Sequence, residues 1–385
     1  MTSGNFSRSI SSKTDITFAC PFPESGEMGN TGPQYTGMTF QLRQKLDVNQ
    51  FLARADNTPV VDVRSPSEFM SGHIPGAYNI PLFNDDQRKA VGIRYKECGR
   101  NDAIIEGLKL SGPSFHTKLE KALEITNDNR LLVHCWRGGM RSEAMAWLFS
   151  LAGIKADVLE GGYKAYRQHV LNSFTGDKKM IILGGLTGSG KTEILRYLRD
   201  SGEQVIDLEG LANHKGSAFG SLGQIPQPTS EHFANLLYEQ WRRTDSNKPL
   251  WVEDESKNIG TVFMPGEFYL NMQKQPAVVL LMDLKTRLPR LVSEYAGYPV
   301  ADLISSVKKI SRRLGGDNSM EAISSIEKGD FAKAAEITLK YYDKAYLYGL
   351  KKKSSDKIVY IESDTADIKV NAEKILEVSG ILHGS

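Results

Sequence analysis

The sequence has no apolar run approaching the about 18 residues that a membrane-spanning helix needs. It also lacks a dominant charge: 48 Lys and Arg stand against 46 Asp and Glu, a formal net charge of +2. The first lack argues against a membrane partner. The second excludes a uniformly basic nucleic-acid binder and leaves room only for a local basic face. Three cysteines, Cys20, Cys98 and Cys135, make no disulfide framework and have no metal-ligand spacing. That usage fits a reducing, cytoplasmic setting in which a thiol persists. Internal repeats are also missing. What is present is an ordinary globular composition, 40% hydrophobic over 385 residues, which suits two domains.

Residues 1–38 are rich in Ser, Thr, Gly and Pro without apolar periodicity, and read as a disordered tail. A targeting peptide is the sharper alternative, but there is no apolar core and only Arg8 and Lys13 are basic. Met38 opens a more ordered pattern. From there strands alternate with helices: helix 48–54, strand 59–63, a short helix after Ser65 or Ser67 ending at Gly72, strand 77–80, helix 118–123, strand 131–134, helix 143–151 and strand 157–159. This alternation predicts a parallel α/β sheet over residues 39–175, with chemistry at the carboxyl ends of its strands. Residues 84–114 form a charged, partly helical insert, either a solvated cap or a lip for substrate. Residues 163–176 read as a helix and linker. A second α/β domain, residues 176–385, has strands at 180–184, 205–208, 250–252 and 277–282, a helical region over 299–349 and an edge strand at 357–362.

The stretch HCWRGGMRS puts Cys135 at the end of a predicted strand and before a predicted helix. A thiolate there is favoured by converging N–H groups, by the helix dipole and by Arg137 or Arg141. Gly138 and Gly139 let the backbone curl so that an anion can sit against the sulfur, and Ser142 closes the loop. Two chemistries share this design. In one, Cys135 carries a persulfide or its selenium analogue. In the other, a phosphocysteine forms while Arg141 grips phosphate bidentately, since five residues separate Cys135 from Arg141 and Ser142. The alternative to both is a buried structural cysteine before a glycine turn.

The stretch GLTGSGKT matches the phosphate-loop pattern in full, after an apolar strand and before a helix. Gly185, Gly188, Ser189 and Gly190 would turn N–H groups toward phosphate oxygens. Lys191 would neutralise the terminal phosphate, and Thr192 would ligate Mg²⁺ where a metal takes part. Glu253, Asp254 and Glu255 are the candidate metal acids, though their order is not that of the usual aspartate. The loop therefore suits a nucleotide or another diphosphate equally.

The segment VDVRSPSEF with GHIPGAYNIP resembles the rhodanese fold, used by sulfurtransferases and by one phosphatase group. Several blocks together, VGIRYK, CWRGGMRS, LEGGYKAYR, GLTGSGKT, DLEGLANHKGSAFG, EDESKNIG and KKISRRLGG, resemble the tRNA 2-selenouridine synthase family over about residues 40–385. The resemblance implies a rhodanese-like domain fused to a P-loop domain. It implies a transferase acting on tRNA with 2-thiouridine at the wobble position. Geranyl diphosphate would alkylate the sulfur, and selenophosphate would supply the selenium that replaces it. No tightly bound cofactor is expected. On this reading Cys135 handles selenium and the phosphate loop holds the phosphorylated substrate. Trp136 and Tyr163 are candidates for stacking on bases, or else core residues. Lys308, Lys309, Arg312, Arg313 and the run 351–353 are candidate RNA contacts, or else solvated helix faces. His214 and Lys215 either face a ligand between domains or belong to a glycine turn. Two rivals stand: a cysteine-dependent phosphatase or sulfurtransferase with an NTP-binding control domain, and a non-enzymatic, nucleotide-gated tRNA-binding module.

Overall fold

The computed structural model describes residues 43–383 apart from 127, 177 and 352–356. The expected tail, Met38, Cys20, Lys352 and Lys353 lie outside the described residues. Strands β1 (Lys45–Leu46), β2 (Val60–Asp62), β3 (Tyr78–Asn79), β4 (Arg130–His134) and β5 (Lys155–Leu159) form a parallel sheet in the order β1-β5-β4-β2-β3. Helices α1 (Val48–Ala55) and α7 (Gly162–Ser173) cover one face; α5 (Phe115–Ile125) and α6 (Met140–Ser150) cover the other. Burial on both faces explains why β4 reads Leu-Leu-Val rather than as an alternating strand. The chain reverses its direction of strand addition between β2 and β4, so the ends of those strands flank the crevice where ligands of such sheets bind.

The insert is helical almost throughout. Asn84 caps α3 (Asp85–Cys98) by accepting from Gln87 N at 2.8 Å, Gly99 turns the chain, and α4 (Arg100–Ser111) returns against α3. The short helix α2 (Pro66–Ser71) begins at Ser65, where the Glu68 carboxylate accepts the Ser65 N–H at 3.1 Å.

The second sheet is also parallel. Its strands are β6 (Met180–Gly185), β7 (Gln204–Ile206) and β8 (Leu250–Glu253), then, beyond a small hairpin of β9 (Asn258–Ile259) and β10 (Val262–Phe263), β11 (Ala277–Met282) and β12 (Ile358–Ser363). The order is β12-β11-β6-β8-β7, with β12 on the edge. All six residues of β6 are buried, as a central strand requires. Helices α8 (Lys191–Asp200) and α16 (Ile368–His383) pack on one face. Helices α10 (Ser230–Trp241) and α11 (Gly266–Lys274) pack on the other, and α9 (Leu208–Ala212) follows β7. Four further helices, α12 (Leu284–Tyr295), α13 (Val300–Leu314), α14 (Gly316–Glu327) and α15 (Phe331–Leu350), form the helical part; α13 and α14 share a core of Leu303, Val307, Ile310, Leu314, Ala322 and Ile326.

The two sheets are joined by one continuous apolar core. Tyr166, Val170 and Phe174, from α7 and its end, meet Leu237, Tyr238 and Trp241 of α10. The rings of Phe174, Trp241 and Phe268 lie edge to face with centroids 5.6–5.9 Å apart. Several polar groups at this seam are paired: His169 Nε2 lies 2.8 Å from the Tyr238 hydroxyl, and Asn271 donates to the Phe174 carbonyl at 2.6 Å, while the Tyr166 hydroxyl is buried without a partner.

Candidate active sites

Cys135 follows β4 directly and is buried, 3% exposed. Its Sγ lies 3.4 Å from the Ser142 hydroxyl, which itself donates to the Gly139 carbonyl at 2.9 Å. One hydroxyl proton cannot serve both at once. The thiol donates to Ser142 Oγ; a thiolate would turn the Ser142 proton onto sulfur. Burial pushes the Cys135 thiol up, but the Ser142 hydroxyl, the Arg141 charge and the N–H groups of Arg137 and Ser142 outweigh it and hold the thiol below its ordinary range. These groups also make an anion cradle.

The two arginines have separate places. Arg141 forks onto Glu68 at 2.7 and 3.3 Å, and Glu68 is positioned by the cap of α2. Arg137 is exposed and supplies its backbone N–H, not its guanidinium, to the sulfur. The Nη1/Nη2 end of Arg141 is engaged by Glu68, so a bidentate phosphate grip through that end would have to displace this carboxylate. Gly138, at φ +65°, presses on the turn after β5: a side chain there would strike the Leu159 carbonyl and the N–H groups of Gly161 and Gly162. Gly139 has open space and serves instead as the residue before α6. Tyr163 N donates to the Cys135 carbonyl at 2.8 Å and Lys164 N to the Trp136 carbonyl at 3.0 Å. The LEGGY stretch thus clamps the cysteine loop. Its paired glycines were visible in the sequence, but nothing local said which loop they touch.

Below the loop lies a buried ionic group. Asp62 and Arg64 pair bidentately, with Arg64 also donating to the Gly72 carbonyl at 2.6 Å and stacking 3.7 Å above the Tyr163 ring. Both ring nitrogens of His134 lack a hydrogen-bond partner, and burial lowers its pKa, so the ring is neutral. Tyr163 is fully buried and donates to Glu231 at 2.9 Å, which removes it from RNA stacking. Trp136 is 37% exposed beside the cysteine and can still meet a base.

The second site is at the carboxyl end of β6. Gly185, Thr187, Gly188, Gly190, Lys191 and Thr192 line a cavity of about 480 Å³. Lys191 donates to the Gly185 carbonyl at 3.1 Å, and Thr192 donates to Glu209 at 3.2 Å. The Ser189 hydroxyl is buried without a hydrogen-bond partner against Gly185 and does not line the cavity. The helical part holds the loop from outside: Arg287 donates to the Thr187 carbonyl at 2.8 Å, and Gly185 N donates to the Tyr346 hydroxyl at 3.0 Å.

The three candidate acids part company. Asp254 accepts the Tyr346 hydroxyl at 2.9 Å. Glu253 is wholly buried; one oxygen accepts Glu209 N at 3.0 Å. Glu255 reaches the cavity beside Glu209, an acid that sequence reasoning passed over inside DLEG. Burial, then mutual repulsion, raises Glu253, and burial with the Glu209 charge pushes Glu255 up to about 8. Among the described residues no three His, Cys, Asp or Glu side chains converge as metal ligands. Mg²⁺ usually takes one or two carboxylates with substrate phosphates; here the carboxylate would be Glu209, with the Thr192 hydroxyl beside it.

Phe219, Leu222, Leu291, Tyr295 and Tyr298 add apolar and aromatic lining to the same cavity, with Leu291 packed on Gly188 of the phosphate loop, while Arg196, Lys215 and Arg290 add cations. Lys215 pairs with Glu294 in this cavity, which lies within the second domain and not between domains. His214 is buried behind it. Lys308, Lys309, Arg312 and Arg313 form an exposed stripe on α13, and burial together with the Lys309 charge lowers the His214 pKa, so the stripe runs close behind this loop.

The family model for the AAA domain of tRNA 2-selenouridine synthase matches residues 178–375, and the rhodanese-like domain model matches 47–169. A tRNA 2-selenouridine synthase of Shewanella sediminis is 38% identical over 336 residues, covering 77% of this chain and 89% of that protein. The synthase of Nitrosomonas europaea is 31% identical over 349 residues, covering 77% and 90%, and that of Sulfurovum sp. is 33% identical, covering 78% and 91%.

Proposed function

The chain belongs to the tRNA 2-selenouridine synthase family, and we propose that it converts wobble 2-thiouridine in tRNA to 2-selenouridine by way of an S-geranyl intermediate. In the first step the base sulfur attacks the first carbon of geranyl diphosphate, the carbon–oxygen bond breaks and diphosphate leaves. The leaving diphosphate needs N–H donors and cations, which the phosphate loop, Lys191, Arg196 and Arg290 can offer. In the second step a selenium nucleophile adds to ring carbon two, and geranyl thiol departs. Alkylation makes that departure easy, because a thiol is a better leaving group than a ring thiocarbonyl sulfur. The selenium comes from selenophosphate: its selenium adds to ring carbon two, and water then cleaves the phosphorus–selenium bond to release phosphate, with the anion cradle around Cys135 holding the charged donor. The exposed stripe on α13 would meet the tRNA backbone.

The observation that carries this reading is a single cavity lined both by the phosphate loop with its cations and by apolar and aromatic side chains. That shape suits a diphosphate bearing a hydrocarbon tail. The test is to incubate the protein with 2-thiouridine tRNA, geranyl diphosphate and selenophosphate, singly and together, and to weigh the nucleosides. Cys135→Ser should abolish selenation and spare geranylation; Lys191→Ala should cut geranylation at least tenfold. If both activities survive Cys135→Ser, or both are lost with the fold intact, the division of labour is wrong. An RNA mass that never changes would leave only the binding module.

A further inference from the structure

The α3–α4 hairpin is a poor structural element by its own packing. None of the fourteen residues of α3 is buried, and α4 buries only Ala103, Gly107 and Ser111. Its larger apolar side chains are left in solvent: Ile93 is 46%, Tyr95 54% and Leu108 58% exposed. Exposed apolar area of that size in one place ordinarily marks a binding surface. These three side chains do not point outward at random. Together with Phe83 they line a cleft of about 900 Å³ between the hairpin and the start of α6. Met140, 48% exposed, completes the far wall, and Arg141 of the cysteine loop stands at its inner end with its partner Glu68. Phe83 also belongs to the buried cluster that contains Cys135. The cleft therefore shares a wall with the thiol site. Its charged lining is mostly cationic, with Arg88, Lys89, Lys96, Arg100 and Arg141 against Glu68 and Asp85. Apolar side chains beside a mostly cationic lining complement a hydrocarbon attached to a polyanion.

We infer that this cleft receives the apolar chain of an S-alkylated tRNA nucleoside, as a second hydrocarbon site apart from the phosphate-loop cavity. The inference rests on the proposed route through an S-geranyl intermediate. The donor chain binds beside the phosphate loop before transfer. The same chain, once on the base, lies in the rhodanese-domain cleft and sets the base against the cysteine loop, while the cleft's cations meet the backbone of the same RNA. An S-geranyl nucleoside and geranyl diphosphate present the same hydrocarbon, so the experiment separates the two sources.

The experiment measures fluorescence anisotropy of labelled anticodon stem-loop RNAs with the full chain, and reads the ratio of affinities for S-geranyl-2-thiouridine and 2-thiouridine forms. The wild-type protein should favour the geranylated RNA about tenfold or more, as burial of several methylenes predicts. Ile93→Gln and Leu108→Gln keep the net charge and replace exposed side chains with a good helix former. Each should bring the ratio toward one. Lys191→Ala should leave it high, and saturating geranyl diphosphate should not displace the geranylated RNA. A ratio near one in the wild type, a ratio unmoved by both cleft variants, or a ratio lost through Lys191→Ala or geranyl diphosphate overturns the inference. If turnover yields no S-geranyl RNA while the cleft variants still abolish the preference, the proposed route falls and the cleft assignment stands.

Discussion

At the level of single residues, the cysteine site is governed by where one proton goes. Ser142 offers its hydroxyl either to the Gly139 carbonyl or to ionised sulfur. A hydrogen bond to a charged group contributes about 1.5–3 kcal/mol. Ser142→Ala should therefore raise the Cys135 pKa, seen as an upward shift in the pH midpoint of alkylation by iodoacetamide. An unmoved midpoint would assign the low thiol pKa to Arg141 and the backbone alone. The sequence disclosed Cys135 and both glycines, but it gave Arg137 and Arg141 equal standing. What separates them is Glu68, which lies far back in the chain and reaches Arg141 only through the fold. The same distance hid Glu209 from Thr192. Local spacing carries no signal for such pairs.

At the level of elements, the end of β8 and the start of α9 bring Glu253, Glu255 and Glu209 together behind the phosphate loop. Burial and repulsion raise the folded pKa of Glu255 from the ordinary 4.5 to about 8. A carboxyl raised on folding holds a proton that the unfolded chain gives up. Its contribution to stability is complete below about 4.5 and fades as pH rises toward about 8. The thermal midpoint of the ligand-free protein should accordingly fall as pH rises from 4.5 to about 8, and Glu255→Gln should flatten that fall. If the variant and the wild type fall in parallel, Glu255 is not the titrating group. The elements themselves were legible where they are amphipathic or wholly apolar: β4, β6, α1, α8 and the helical region that holds α13. The α3–α4 hairpin read only as a partly helical insert, because a helix that buries nothing has no apolar period to display. Helices α10 and α11 were passed over for a related reason. Their buried faces meet α7 of the other domain, and their pattern makes sense only with that partner present.

At the level of the whole molecule, the order of the two α/β units was plain from the sequence, whereas their fusion through a common core was not. Tyr163, which the sequence left as either an RNA-stacking aromatic or a core residue, is a core residue at that seam. Asn235 donates to its hydroxyl at 2.8 Å and to the His73 carbonyl at 2.7 Å. Relative domain motion is the usual expectation for a two-domain enzyme unless the interface is large and apolar. Here the Phe174, Trp241 and Phe268 rings close the seam.

That seam has a kinetic corollary. Two stations bolted to one bench cannot be swung toward each other, so the workpiece must be handed across. On the proposed two-step route the tRNA would loosen its hold after the first operation and re-seat for the second, and each re-seating would be a chance to escape into solution. A mixture of two crippled proteins, Cys135→Ser and Lys191→Ala, should then regain 2-selenouridine formation, because the half-finished tRNA shed by one can be completed by the other. Mass spectrometry of the mixture against each protein alone reads this directly. Silence in the mixture, with each partial activity intact, would mean that the RNA never lets go between stations.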